Sequence, residues 1–303
     1  MLQHILDGLT QGAIYVLIAL GYTMVYGILG MINFAHGEVY MMGAYLGIIT
    51  LGVLTFAGVT AISLPFCILA AFLVAIVFCA GYGYTIERTA YRPLRQAHTL
   101  APLISAIGMS TFLQNYMMLA QGKDKIDFPN FFREIFIRKT ITLPGVRINY
   151  LEIFIIVTSL LVLLGLHLFI TYTKTGRAMR ATSQDKRMAG LVGININRVI
   201  SITFIIGSAL AAVGGVMISM YVGATKFDDG YMAGIKAFTA AVLGGIGNIT
   251  GTMLGGFILG VVENFGIWLI SSDYKDAYSF IILLIILIIR PTGLFGEQVS
   301  ERT

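Results

Sequence analysis

Five long stretches of the chain carry no charged side chain, and this pattern constrains the fold more than any other. No Asp, Glu, Lys or Arg occurs between residues 39 and 86, a run of 48 positions. The other charge-free runs are residues 96–122, 153–173, 199–225 and 237–262. Since a membrane helix needs roughly 20 apolar residues, each later run fits one span and the first fits two. The residues are 57% hydrophobic and 12% charged, about half the charged fraction of a soluble domain. The chain is therefore predicted to be an all-α, polytopic transmembrane helical bundle.

Two glycine-rich segments predict that some of these helices are interrupted. Residues 30–47 contain three polar residues, Asn33, His36 and Glu38, flanked by Gly30 and Gly37. This segment is either a helix break that lines a cavity inside the bundle or a plain loop between two spans. Residues 234–264 carry four closely spaced glycines and predict a half-helix, a break and a second helix. We expect eight to nine spans with broken or re-entrant segments: nine with the N-terminus outside, or eight if residues 237–250 re-enter.

The interrupted segments also supply the candidate substrate pathway. Gly30 and Asn33 precede Gly43 and Gly47, and Gly245 and Asn248 precede Gly256 and Gly260, in the same order and nearly the same spacing. Glycine-interrupted segments at corresponding places in two halves of a transporter point to its binding site, and ionisable residues inside a membrane point to function. The predicted pathway residues are Asn33, His36, Gly37, Glu38, Asn248, Gly251 and Glu263.

Residues 173–198 form a long polar interruption with six Lys or Arg and one acid. Within it, Thr182 and Asp185 have the spacing of a capping box, and Gly190 and Gly193 are candidate helix stops. The short helix between them would present a small apolar face, formed by Met188, Ala189, Leu191 and Val192. Such a helix either lies solvated at the membrane surface or is bound by another protein.

Several other functions lack a signature. The four histidines are scattered, so no metal site is expected, and no glycine-rich phosphate loop ending in Lys-Ser or Lys-Thr occurs. The chain is therefore predicted to be no enzyme and to bind no ATP. Its net charge of +5 fits basic loops and does not suggest nucleic acid. Cys67 and Cys79 would lie about 18 Å apart on one helix, too far for a disulfide.

Five sequence motifs resemble one transporter family. They are GYTMVYGILGMINFAHGEVYMMGAY (Gly21–Tyr45), ERTAYRPLR (Glu87–Arg95), LISAIGMSTFLQNY (Leu103–Tyr116), GIKAFTAAVLGGIGNITG (Gly234–Gly251) and the terminal RPTGLFG. In these motifs the chain resembles the LivH-type permease subunits of high-affinity branched-chain amino-acid ABC importers, which belong to the binding-protein-dependent transport permeases. The resemblance implies one permease domain over residues 1–303, in the bacterial inner membrane, with Leu, Ile and Val as cargo.

The resemblance also implies partners. They would be a second related permease, two cytoplasmic ATPase subunits that bind the ATP, a periplasmic amino-acid-binding protein and the surrounding lipid. Residues 173–198 would be the cytoplasmic coupling loop, whose helix sits in a groove of the ATPase. The expected coupling residues are Arg177, Arg180, Thr182, Asp185, Lys186, Arg187, Ala189 and Gly193. Alternatives are a sister permease for urea, amides or other amino acids, and an ion-coupled secondary transporter using Glu38 or Glu263.

Overall fold

The computed structural model describes residues 1–61, 63–95, 97–98, 100–138, 140–143 and 146–296, and 82% of it is helical. The first half contains α1 (Leu2–Leu29), α2 (His36–Phe56), α3 (Leu64–Ile86), α4 (Leu100–Gln121), α5 (Asn130–Arg138) and α6 (Tyr150–Tyr172). The second half contains α7 (Lys174–Gln184), α8 (Lys186–Leu191), α9 (Ile196–Val222), α10 (Asp229–Gly244), α11 (Ile249–Leu269) and α12 (Lys275–Ile289). A π-helical turn and a 3-10 turn extend α3 to Leu94. The predicted helical bundle is therefore confirmed.

The expected count of eight to nine spans is not confirmed. Within the described residues, six helices are long and apolar enough to cross a membrane: α1, α2, α3 with its extension, α6, α9 and α11. The sequence prediction also counted the helices that became α4, α10 and α12. Of these, α10 and α12 have only 16 and 15 residues, fewer than the roughly 20 that a span requires. The half-helix, break and second helix predicted for residues 234–264 are present as α10 and α11.

Helix α1 forms the centre of the bundle and is buried along most of its length. It packs closely against α11 because glycines face each other there: a Cβ on Gly12 would lie 2.9 Å from the carbonyl oxygen of Gly256. In the same way, α2 approaches α9 where a Cβ on Gly43 would lie 2.7 Å from Cα of Ala212. Small residues let helix backbones approach closely and so increase dispersion contacts in a membrane protein.

The described residues of the long polar loop between α4 and α6 include short strands. Strands β2 (Thr140–Leu143) and β3 (Val146–Asn149) form an antiparallel pair, and β1 (Ile126–Asp127) pairs antiparallel with β4 (Ala224–Thr225). Within the described residues, these two small sheets are the β-structure of the chain. The backbone N–H of Arg147 donates to Oε1 of Gln3 over 2.9 Å, so this loop lies at the N-terminal end of α1.

The basic stretch lies at the other end of α1. Lys186 in α8 donates from Nζ to the carbonyl oxygen of Leu29, the last residue of α1, over 3.1 Å. A helix of 28 residues is about 42 Å long at 1.5 Å per residue. The loop between α4 and α6 and the α7–α8 pair therefore lie on opposite sides of a membrane that α1 crosses. Cys67 and Cys79 are buried and form no disulfide, as predicted.

Candidate functional site

The first helix break, between α1 and α2, lies inside the bundle. Gly30 ends α1 with φ +71°, a conformation that glycine adopts at little cost. The chain then returns along α1, because Nε2 of His36 lies 3.2 Å from the carbonyl oxygen of Ile18, near the middle of α1. Asn33 is buried, and its Oδ1 accepts a hydrogen bond from the hydroxyl of Tyr91 over 2.8 Å. The segment therefore connects α1 to α2 inside the bundle, with Glu38 in the first turn of α2, and its role in a substrate pathway stays a prediction.

The start of α2 packs directly on the start of α10. A Cβ on Gly37 would lie 2.9 Å from Cα of Gly234, so the absent side chain allows this approach. Glu38 is buried beside it and accepts a hydrogen bond from Oγ of Ser110 over 3.1 Å. Its other oxygen, Oε2, has no hydrogen-bond partner within the described part of the chain. A buried carboxylate oxygen without a partner is costly, which marks this junction as strained or functional.

The second break lies between α10 and α11. Gly245, with φ +104°, ends α10, and Asn248 starts α11 by accepting the backbone N–H of Gly251 over 2.9 Å. The C-terminal segment covers this break: Phe295 donates its N–H to the carbonyl oxygen of Gly244 over 3.1 Å, and its own carbonyl oxygen accepts the Asn248 amide over 3.0 Å. The terminal motif therefore caps α10, which otherwise leaves carbonyl groups unpaired at its end.

A buried ionic cluster surrounds Glu263 at the far end of α11. Its Oε1 lies 2.7 Å from Nζ of Lys236, and its Oε2 accepts the hydroxyl of Tyr15 over 2.8 Å. Lys236 also contacts Asp276 at 2.7 Å, and Lys275 lies 3.8 Å from Oε1 of Glu263. The cluster ties α1, α10, α11 and α12 together, since a carboxylate in this position needs counter-charges and donors.

The seven predicted pathway residues therefore occupy three places. Asn33, His36, Gly37 and Glu38 lie at the α1–α2 break, Asn248 and Gly251 at the α10–α11 break, and Glu263 in the ionic cluster. The partners of Glu263 were missed by the sequence analysis. Lys236 could have been found, because it is the one charged residue between positions 230 and 262. Their role in transport stays a prediction.

The polar stretch forms two helices, and the predicted capping box is wrong. Thr173 starts α7 by accepting the N–H of Gly176 over 3.0 Å. Thr182 is buried within α7 and donates to the carbonyl oxygen of Ala178 over 2.7 Å. Asp185 alone starts α8, accepting the backbone N–H groups of Arg187 and Met188. Asp is itself a strong N-cap, whereas a capping box uses the longer Glu or Gln to reach back.

The end of α8 agrees with one of the two predicted stops. Gly193 donates its N–H to the carbonyl oxygen of Gly190, and Ile194 donates to that of Ala189, over 3.1 and 3.0 Å. This pair of hydrogen bonds is the Schellman motif, with Gly193 in the left-handed position that follows the helix. Gly190, the other candidate stop, lies inside α8.

Two cations of this stretch anchor it to the transmembrane helices. Arg180 donates from Nη1 to the carbonyl oxygen of Ile170 over 2.5 Å, at the end of α6, while Lys186 binds the end of α1. Cations are favoured at helix C-termini, where carbonyl groups lack partners. Burial lowers the pKa of Lys186, and the positive charge of Arg95 lowers it further. Displacement of α7 and α8 would therefore act directly on α6 and α1.

The rest of α8 faces outward. Arg187 is exposed, and so are three large apolar side chains: Met188 at 62%, Leu191 at 80% and Val192 at 76%. Ala189, by contrast, is buried against the protein. The predicted apolar face is present, with Ala189 turned inward. An exposed apolar patch beside a basic residue is typical of a protein-binding surface.

Comparison with known proteins identifies the family. The profile of the family described as "Branched-chain amino acid transport system / permease component" matches residues 4–289. The chain is 50% identical to the high-affinity branched-chain amino acid transport system permease protein BraD of Pseudomonas aeruginosa over 301 residues, 99% of this chain and 97% of the relative. It is 46% identical to the corresponding LivH protein of Escherichia coli K12, with the same coverage. A probable LivH protein of Methanocaldococcus jannaschii is 27% identical over 97% of this chain and 92% of the relative. No solved structure matches. The chain belongs to the family of permease components of branched-chain amino acid transport systems.

Proposed function

We propose that this permease carries leucine, isoleucine and valine across the bacterial inner membrane as one subunit of an ATP-driven importer. Its partners would be a second related permease, two cytoplasmic ATPase subunits and a periplasmic binding protein that delivers the cargo. The ATP would be bound by the ATPase subunits, and the permease itself would catalyse no reaction. The near-complete match to permeases of branched-chain amino acid transport systems supports this proposal.

The coupling site of the proposal is the α7–α8 pair. Helix α8 has an exposed apolar face beside Arg187, and Lys186 joins it to the last carbonyl group of α1. An ATPase subunit that bound this face would move α8, and α8 would move the end of α1 next to the break at Gly30. Residues 87–95 lie on the same side and are fixed to α9, since Arg95 donates to Oδ1 of Asn197 over 2.7 Å.

The sharpest test of coupling changes the outward face and leaves the anchors intact. The variant Arg187→Glu/Leu191→Glu reverses one charge and places another in the apolar patch, while Lys186 and Arg180 keep their helix-end contacts. We expect ATP-driven leucine uptake by the complete importer in liposomes to fall roughly tenfold or more, because hydrophobic contact with the ATPase is lost. Arg198→Glu is the matched control: it reverses a charge in the same stretch, outside α7 and α8, at a helix start that tolerates an acid.

A rate of ATP-driven leucine uptake that stays at the wild-type value in the double variant would contradict the docking surface. The same liposomes separate the alternative functions. Uptake driven by a pH step without ATP would favour an ion-coupled transporter that uses Glu38 or Glu263. Competition by urea or short amides against labelled leucine would favour a sister permease with a different cargo. ATP hydrolysis by the permease alone would contradict the assignment of nucleotide binding to the partners.

A further inference from the structure

A cavity of about 150 Å³ lies between α1, α2, α9, α10 and α12, on the side of the membrane opposite α8. Ala224 and Thr225 of β4 form part of its wall, and β4 pairs with β1 of the loop that lies near the start of α1. The cavity therefore lies toward the side from which a binding protein would deliver cargo. The following inference rests on the function proposed above.

One face of α10 lines the cavity. Along the helix, this face presents an acidic residue, then two apolar residues, then a basic residue. Asp229, Met232, Ala233 and Lys236 all line it, and their spacing of three, four and seven places them on one side of a helix. Asp229 and Lys236 are seven positions apart, about 10 Å along the helix axis. This face thus separates the two charge signs by an apolar surface.

Lys275 is the cation that remains for a ligand. Lys236 is held at 2.7 Å by both Glu263 and Asp276, whereas Lys275 reaches Glu263 at only 3.8 Å, on the oxygen that Lys236 already occupies. The side chain of Lys275 is 38% exposed and lines the cavity. Its ammonium group therefore retains donors that a carboxylate in the cavity could use.

Asp229 provides the opposite charge. Its Oδ2 accepts the backbone N–H of Lys226 over 2.7 Å, and within the described residues Oδ1 receives no donor. The cavity lining also contains apolar side chains, among them Met41, Ala44, Ile218, Val222, Met232 and Ala233. Methionine and branched aliphatic side chains adapt well to small aliphatic ligands.

We propose that this cavity binds the amino-acid cargo itself, with Asp229 taking the α-ammonium group, Lys275 the α-carboxylate and the methionine-rich wall the aliphatic side chain. A cavity of this volume holds a molecule of about the size of benzene, so an aliphatic side chain fits while the charged head faces the polar groups. One acid and one free base match a zwitterion, which has no net charge. A ligand with only a positive or only a negative charge would leave one of these two protein groups unpaired. The site discriminates between Leu, Ile and Val through Met232 and Ala233.

The test uses the complete importer in liposomes with ATP inside and the binding protein loaded with leucine or with valine outside. Asp229→Asn and Lys275→Gln should each lower the maximal uptake rate roughly tenfold or more, the loss expected for one charge-assisted hydrogen bond. The concentration of binding protein at half-maximal uptake should stay unchanged, since both side chains face the cavity. Lys123→Gln is the matched control, because Lys123 is exposed in the loop that follows α4 and does not line the cavity.

A second pair of variants distinguishes cargo contact from a general structural defect. Ala233→Val narrows the cavity and should lower leucine uptake more than valine uptake, whereas Met232→Ala widens it and should do the reverse. One methylene in an apolar pocket discriminates substrates by roughly tenfold or more, so a several-fold change in the ratio is expected. A structural defect would lower both cargoes equally.

The outcomes separate the two proposals. If the wild-type importer transports leucine with ATP, and Asp229→Asn, Lys275→Gln and Ala233→Val all keep its rate and its leucine-to-valine ratio, the cavity is not the cargo site and the proposed function stands. If the wild-type importer takes up no branched-chain amino acid, both the proposed function and the proposed cargo site are wrong.

Discussion

The Glu263 cluster gives the strongest prediction about stability. The change is Lys236→Met, which keeps a long unbranched side chain and removes the charge. The side chain of Glu263 is fully buried and that of Lys236 is 8% exposed. Removing one member of a buried ion pair leaves the other charge buried without a partner, which lowers the free energy of unfolding by about 3–5 kcal/mol.

The contacts around Glu263 place the expected decrease in the free energy of unfolding at the lower end of that range. The Tyr15 hydroxyl still donates to Oε2 over 2.8 Å, and Lys275, 3.8 Å away and partly exposed, can turn toward Oε1. Asp276 is 53% exposed, so water solvates it after the change. We therefore expect the free energy of unfolding to decrease by about 3 kcal/mol. At about 2–4 °C per kcal/mol, the melting temperature of the purified permease should fall by about 6–12 °C.

Two further variants determine whether the buried charge is the cause. Lys236→Met/Glu263→Gln removes both charges and should recover half or more of the loss, because replacing a whole buried pair is often nearly neutral. Lys226→Met removes the partly exposed ion pair with Asp228 and should change stability by less than about 1 kcal/mol. The measurement is the loss of monodisperse protein on heating in detergent. A Lys236→Met protein that melts within 2 °C of wild type (about 0.5–1 kcal/mol), or a double variant less stable than the single one, would refute the reasoning.

Two other predictions concern helix packing and the second break, and both are measured as melting temperatures. Gly12→Ala should destabilise by about 1–3 kcal/mol, because the new Cβ would lie 2.9 Å from the backbone of α11, whereas Gly52→Ala meets open space and should be neutral or stabilising. Asn248→Ala should cost about 1–2 kcal/mol, since it removes the cap on Gly251 and the donor to Phe295. Asn248→Asp keeps the cap and should cost less; equal losses in both variants would exclude the cap as the cause.

Local signals in the sequence were sufficient for the helix breaks. At both breaks a glycine with a positive φ ends one helix and an asparagine follows three residues later. The structure accordingly has α1 ending at Gly30 and α10 ending at Gly245. The start of α8 was misplaced because two local signals competed: Thr182 continues a helix that begins at Lys174, and Asp185 is the stronger cap.

Long-range pairing is what the sequence could not provide. Glu263 and Tyr15 are separated by 248 residues, and neither hydropathy nor helical spacing shows that α1 and α11 meet. Their contact depends on facing glycines, which in a chain with 35 glycines are too common to identify a partner. The span count is not confirmed, and α4 illustrates why hydropathy counts are incomplete: its Ser110 bonds to buried Glu38, so a helix can be polar because of its neighbours. The side chains that hold this bundle together are thus those whose polarity looks out of place in an apolar run, and a lone Lys or Glu there is the residue to test first.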